Sequence, residues 1–555
     1  MNTRKLARVF AIATVALPGL LLTASVASAK EVSGPMTGSV PRAICSPGDH
    51  TESGLQGQTT PSERFSGDSK RAYNCNLELV GQYQGEGNYS QDGPAYFGDC
   101  AYYGTDRVTN LQQHLGMTVI DASDPQHPVA SAFLDNTPAA LAPHETPKVH
   151  AKRGLLAVGQ FAGPNFAVYD VSSDCRHPVL KGSVNLPGSV GHQGNFAPDG
   201  MTFYLTQNFL NVGGFVYIVD LTDPSKPVEL PRWQYLGNGI PHEVWFNADG
   251  TRMYAGQPGT FGGNFGLTGP NGLVIEDVSD YQFRRPNPQI HIISTLFWAD
   301  QGQSESMIPV HIHGHPYIIS TDEAGGAGGA GGWAAACQRG ASAFGYPQII
   351  DVADVTNPKI ISKLRLEVSD PANCAALLEG TPPDVPGTAP GTNLPAISGT
   401  TNYSQETCVA DNPEDTKMLA CSFQNAQLRV FDVSDPTHPK EIAYWKSGAP
   451  RTRVLPASGS WDARTVNGQG IDRTVDKIAH WPRWVVVNKA NGKAKQNGNG
   501  NGNGNGVGGG PGNSADIQLW TVSDAHGLQV LQFSKSFTAQ HKDLFENTVT
   551  TEQDR

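Results

Sequence analysis

Seven stretches of the chain repeat one alternation: an apolar strand, an aspartate, a short polar turn and a second strand. They read GMTVIDASDPQHPV, NFAVYDVSSDCRHPV, GFVYIVDLTDPSKPV, GLVIEDVSDYQFRRP, PQIIDVADVTNPKI, LRVFDVSDPTHPKEI and IQLWTVSDAHGLQVL. The aspartates are Asp121, Asp170, Asp220, Asp277, Asp351 and Asp432; the seventh copy has Thr521 instead. The first copies are roughly 50 residues apart, close to the length of a four-stranded propeller blade, and the later ones carry insertions. Strands such as Phe215 to Val219 are apolar on both faces, as a strand must be when sheets pack on either side of it. The aspartate can accept from turn N–H groups, and paired prolines such as Pro436 and Pro439 stop the strand. Upstream of each copy lies another hairpin, plainest in PHEVWFNADGTRMYAGQ and GHQGNFAPDGMTFYLTQ. Two hairpins make one blade. The pattern therefore predicts an all-β fold: a seven-bladed β-propeller of four-stranded antiparallel blades, with long loop insertions, over residues 75–540.

Composition agrees. Of 555 residues, 63 are Gly and 40 Pro, and only 16% are charged, which favours turns and short strands over helices. The net charge of -12 excludes a nucleic-acid partner, which would need a basic footprint. Arg4, Lys5 and Arg8, the apolar run from Val9 to Leu22 and Ala27-Ser28-Ala29 read as a signal peptide, residues 1–29, cleaved after Ala29. That run is too short for a membrane span and no other is long enough, so a secreted, cell-surface or periplasmic protein is expected. Its eight cysteines suit an oxidising compartment. Cys408 and Cys421 suit neighbouring strands, Cys337 and Cys374 could close an insertion, and Cys45 and Cys75 could tie down an irregular extension over 30–74; spacing leaves connectivity open. Gly325 to Gly332, Gly380 to Gly391 and the Asn/Gly-rich tract 488–513 read as loop insertions, the last inside blade seven, and 541–555 as a tail. The aromatic cluster Tyr96, Phe97, Tyr102 and Tyr103 reads as core between blades.

The repeats resemble those of LVIVD-repeat proteins, a family of secreted or cell-surface β-propellers in bacteria and archaea. The resemblance covers roughly residues 95 to 535 and implies a fold far more than an activity. A more distant analogy is to the selenium-binding protein and methanethiol oxidase propellers, which carry metal-binding histidines.

Candidate chemistry lies in the histidines. His144, His192, His242 and His311 each precede the first hairpin of a repeat, and His480 takes the same place before the Trp484 strand; blade six offers Glu406 there. The first strand of a propeller blade lines the central channel, so one repeat position becomes a ring in space. Imidazoles converging at one level suit a transition metal (Cu, Zn or Fe). His313 joins because residues two apart in a strand share a face. Glu145 and Glu243 read as partners that orient the imidazoles, and Asp322-Glu323 could join the site. A repeated histidine also fits a structural role, bonding the next blade's backbone. His127, His177 and His438 fall in outer turns and read as surface residues.

No nucleophile elbow, Walker A loop or HExxH helix is present. Two functions follow. One is a metal-dependent extracytoplasmic protein, an oxidoreductase if an enzyme, acting on a small molecule at the channel. The other is a non-enzymatic scaffold binding an extracellular protein or glycan through its insertion loops. A monomer is expected in either case.

Overall fold

The alternation becomes seven antiparallel sheets. A computed structural model describes residues 38–551 apart from 85–91, 105–113, 115, 162, 189–190, 208–214, 235–240, 260, 263–265, 268–270, 329–335, 380–402, 450–474, 479, 489–492 and 495–516. The leader 1–29, the start of the extension, part of the Gly/Ala run, the stretch 380–391 and most of the tract 488–513 lie outside the described residues.

Blade one holds Asp92–Phe97, Cys100–Gly104, Met117–Asp121 and Val129–Leu134, from the inside outwards. Blade two holds Lys148–His150, Leu155–Gly159, Asn165–Asp170 and Val179–Asn185. Blade three holds Gly191–Phe196, Thr202–Gln207, Phe215–Asp220 and Val228–Glu229. Blade four holds Val244–Phe246, Arg252–Gln257, Gly272–Asp277 and His291–Phe297. Blade five holds Ser304–Ile312, His315–Asp322, Gln348–Asp351 and Lys359–Lys363. Blade six holds Thr407–Ala410, Met418–Phe423, Gln427–Asp432 and Lys440–Lys446.

The doubly apolar third strands pack in both directions. In blade two, Phe166 and Val168 meet Phe203 and Leu205 of blade three. Ala167 and Tyr169 face the other way, toward Tyr102 and Val119 of blade one. Each fully buried Val or Phe side chain contributes about 1.5–3 kcal/mol, so alternating faces join neighbouring blades along the whole strand. Tyr96 and Tyr103 likewise pack with Val485 and Trp520 of blade seven. The repeated aspartate works as its turn requires: Asp121 Oδ1 accepts from Ser123 N, Asp170 from Ser172, Asp220 from Thr222, Asp277 from Ser279, Asp351 from Ala353 and Asp432 from Ser434, all at 2.8–2.9 Å.

Blade seven departs from the sequence reading. Its strands are Arg483–Asn488, Ile517–Ser523 and Gly527–Phe533, completed on the outside by Leu77–Tyr83 from the other end of the chain. Thr521 therefore sits in a second strand, whereas the repeat aspartates sit in third strands. The place of the aspartate falls to Gln532, which pairs with Glu78 as Asp170 pairs with Val179. Two glycines confirm the register. At a bulge in the outer strand of blade two, a Cβ on Gly182 would lie 2.7 Å from Pro224 O in the turn of blade three. At the matching bulge, a Cβ on Gly81 would lie 2.2 Å from Pro125 O in the turn of blade one. Both turns can approach only a bare backbone.

The same N-terminal segment adds Tyr73–Cys75 as a fifth strand on blade six. It is held there by the Cys45–Cys75 disulfide and by a buried charged network. Arg429 pairs with Glu52 and, at 3.0 Å, with Glu441; Lys446 Nζ lies 2.9 Å from Glu52 and donates to Thr59 at 2.7 Å. Burial would raise the Glu52 pKa, but Arg429 and Lys446 outweigh it and bring it down to about 2. The remaining disulfides are Cys100–Cys175, Cys337–Cys374 and Cys408–Cys421. Four disulfides fit an oxidising compartment, and among the described residues no helix is long and apolar enough to cross a membrane.

Candidate metal centre

The first strand of each blade begins at one end of the channel, and residues at that place converge. Thr206 Oγ1 of blade three donates to His242 O of blade four at 2.7 Å, and Ser422 Oγ of blade six makes the same bond to His480 O of blade seven at 2.9 Å. Cross-strand pairing gives the register elsewhere: Gly191 pairs with Gln207 and Ser304 with Asp322, so His192 and Glu305 occupy equivalent places.

The result is a buried cluster of imidazoles and carboxylates. His192 Nε2 and His242 Nε2 are 3.2 Å apart. His242 Nε2 is also 3.2 Å from Glu323 Oε2, and its Nδ1 donates to Gln193 Oε1 at 2.9 Å. Gln193 in turn donates to Glu305 at 3.0 Å. Glu145 stands among the rings, 3.6 Å from His144, 3.6 Å from His192 and 3.7 Å from His480. His480 Nδ1 is 3.5 Å from Glu406, whose other oxygen is 3.7 Å from Lys477. Three sets have donor atoms within 4.8 Å of one another: His144, Glu145 and His192; Glu145, His242 and Glu305; Glu145, Glu406 and His480.

Local backbone supports this placement. His144 has a φ of 46°, left-handed and costly for a residue with a Cβ. Its carbonyl also lies where a Cβ on Gly93 would be, at 2.1 Å, so blade one supplies a glycine to let it in. Phe161 packs on the His144 ring at 4.2 Å between centroids.

Burial and proximity drive the protonation states apart. Burial, followed by His242, His144 and His480, holds His192 well below an ordinary imidazole. Burial acts on His242 in the same sense, but its hydrogen bond to Glu323 and the nearby carboxylates raise it. Burial, then Glu145, Glu406 and Glu323, pushes Glu305 well above the usual carboxylate range. Burial brings Glu406 up to about 7, against the pull of Lys477 and His480. Opposed shifts among neighbouring buried groups are frequent at functional sites.

The structure thus brings together His144, His192, His242, His480 and Glu406. It does not bring His311 or His313. The first strand of blade five runs from Ser304 to Ile312, and both residues lie at its far end, beside the turn. His311 is half exposed and pairs with Glu414 at 3.7 Å. His313 has a φ of 52° and reaches Ser434 O at 3.0 Å. The reason is strand length: counting back from the turn put histidine at the ring, but the longer strand puts Glu305 there. Glu145, read as an orienting partner, is instead central. Aligning the ends of the second strands, Gln207 with Asp322, is the signal that would have found Glu305.

Deeper in the channel, Lys148 and Glu243 form a buried pair at 2.8 Å. Glu243 also accepts from Trp245 Nε1 at 2.7 Å and from Ser306 Oγ. Lys148 Nζ sits 4.0 Å from the centroid of the Trp481 ring. The charges of this neighbouring pair are matched.

The LVIVD repeat is matched at residues 421–445, from the end of the second strand of blade six through the third and nearly all of the fourth. The chain is a seven-bladed β-propeller that carries an LVIVD repeat. No curated protein matches its sequence. Among solved structures, the LVIVD-repeat propeller is similar to the periplasmic gluconolactonase PpgL of Pseudomonas aeruginosa at 12% identity and a TM-score of 0.41, over 83% of this chain and 100% of that one. It is also similar to a protein from Lactobacillus plantarum at 11% identity and a TM-score of 0.42, over 79% of this chain and 100% of that one. Likenesses this loose carry no activity over to this chain.

Proposed function

We propose that this protein is a metal-dependent oxidoreductase working at the centre of the propeller. One observation carries the metal reading: four imidazoles, from His144, His192, His242 and His480, meet Glu145, Glu305, Glu323 and Glu406 in one buried cluster. Buried carboxylates that stay ionised need a compensating cation. Glu145 Oε2, Glu305 Oε2 and Glu406 Oε2 are buried and accept no hydrogen bond. The donor set fits: neutral imidazole with carboxylate suits copper, iron or zinc. Copper or iron would supply one-electron chemistry at this place, and the oxidoreductase class rests on that and on the analogy with metal-bearing propellers. The chain's own residues have separable tasks. His144, His192, His242 and His480 would hold the ion. Gln193 orients His242 through its Nδ1. Glu323, the most exposed of the clustered carboxylates and 3.2 Å from His242 Nε2, would take or return a proton of a bound substrate. Phe161 shields the His144 side from water.

The test is elemental mass spectrometry on untagged protein recovered from the medium or periplasm, beside a His192→Ala/His242→Ala variant. Copper, iron or zinc bound in the wild type and diminished in the variant supports the reading, and oxygen uptake with small reductants then addresses the reaction class. A wild type that takes up no metal after reconstitution overturns it. The alternative, a loop-borne binding scaffold, depends on insertions that lie outside the described residues.

A further inference from the structure

Glu145 presents its two oxygens to different histidines. Oε2 lies 3.6 Å from His192 Nε2, while Oε1 lies 3.6 Å from His144 Nε2 and 3.7 Å from His480 Nδ1. It is also the one residue common to all three donor sets in the cluster. We propose that the channel holds two metal ions bridged by the Glu145 carboxylate, an inference that rests on the metal reading above.

Three arguments lead to two ions. The first is donor count. The three sets comprise His144, Glu145, His192, His242, Glu305, Glu406 and His480. A four-coordinate ion uses only four such ligands. The second is distance. Ligands of one tetrahedral ion with bonds of about 2.0–2.1 Å stand about 3.3 Å apart. The 3.2 Å between His192 and His242 and the 3.5 Å between His480 and Glu406 both fit such an edge, and the two edges share no residue and reach different oxygens of Glu145. His192 and His242 with Glu305 and Glu145 Oε2 form one half. His480 and Glu406 with Glu145 Oε1 form the other, while His144, 3.6 Å from Glu145 Oε1, shares a donor set with His192. The third is charge. Glu145, Glu305, Glu323 and Glu406 are four carboxylates, and Lys477, 3.7 Å from Glu406, brings a single positive charge. With Lys477 counted, the four carboxylates leave three negative charges: one divalent ion leaves one of them unbalanced, and two leave one positive charge that an oxygen-anion ligand would balance.

A carboxylate-bridged pair suits substrates that take or give two electrons, or that bind through two oxygens. The site is therefore expected to take small oxygen-bearing molecules rather than simple cations.

The experiment is equilibrium dialysis of the untagged, metal-stripped chain against Zn²⁺, then separately against Co²⁺, with bound metal counted by elemental mass spectrometry. Two ions per chain are expected in the wild type. One is expected in Glu145→Gln, which keeps the side-chain size but removes the bridging charge. One is also expected in His192→Ala/His242→Ala and in His480→Ala/Glu406→Gln, each of which deletes one half. For the Co²⁺ form, a spin-coupled electron paramagnetic resonance signal in wild type should become that of an isolated ion in Glu145→Gln. A single ion in the wild type, with no coupling, overturns the pair and leaves the metal reading standing. No ion at all overturns both. Circular dichroism of each variant separates loss of a ligand from loss of the fold, and the wild-type stoichiometry decides the question even if a variant fails to fold.

Discussion

Two buried polar clusters in this propeller have opposite electrostatics. In the N-terminal clasp on blade six, Glu52 and Glu441 are matched by Arg429 and Lys446, and Gln56 donates to Glu441 at 2.8 Å. In the channel cluster the carboxylates face imidazoles and one another, with Lys477 alone at Glu406 among the described ion pairs. The first is closed: its charges balance, so it serves the fold. The second has more carboxylates than cationic side chains among the described ion pairs, and the proposed metal would balance it. Matching of charge, rather than burial of charge, separates a structural network from a site.

The largest effect should come from unbalancing the clasp. Arg429→Met leaves Glu52 and Glu441 buried without their main partner, and a loss of about 3–5 kcal/mol is expected, read as the urea midpoint and slope. His192→Ala in the metal-free protein should change stability by less than about 1 kcal/mol, since it removes no balanced partner. Equal losses for the two would erase the distinction. Next, Lys148→Met breaks the channel pair with Glu243, which keeps Trp245 and Ser306 as donors, and should cost about 2–3 kcal/mol. Metal should then stabilise only the channel cluster. At a free concentration of 100 times Kd, the gain is about 2.7 kcal/mol per site, seen as a higher Tm for the wild type and for Arg429→Met and as a smaller rise for His192→Ala/His242→Ala.

A third arrangement sharpens the contrast. Glu276 is fully buried in blade four, its two oxygens accept no hydrogen bond, and burial alone raises its pKa well above 4.5. The folded form thus binds a proton that the unfolded form releases, so stability falls as pH rises above about 4.5. Glu276→Leu should flatten that slope and add about 1–3 kcal/mol at pH 8. Glu52 acts in the other direction. Its depressed pKa gives stability that is full above 4.5 and lost as pH falls toward about 2. The smallest effect expected is a shallower acid limb in Glu52→Gln, and no change in that limb in His192→Ala, both followed by denaturant midpoints across pH.

The strands of six blades were legible because doubly apolar segments and Asp-capped turns are local features: Asp170 bonds Ser172 whatever the rest of the chain does. The three pairings favoured by spacing, Cys408 with Cys421, Cys337 with Cys374 and Cys45 with Cys75, are those found. Blade seven was misread because its outer strand, Leu77–Tyr83, lies more than 400 residues away in sequence from the strand it joins. No local pattern announces a pairing at that distance. The site divides in the same way. Sequence alone determined that histidines recur at one blade position, because the repeat period is written in the chain. Only the tertiary structure decided which of them meet. A few extra residues in the first strand of blade five carried His311 and His313 to the opposite end and put Glu305 in the ring. Convergence at a channel depends on strand length and register, and those are fixed by how the blades pack.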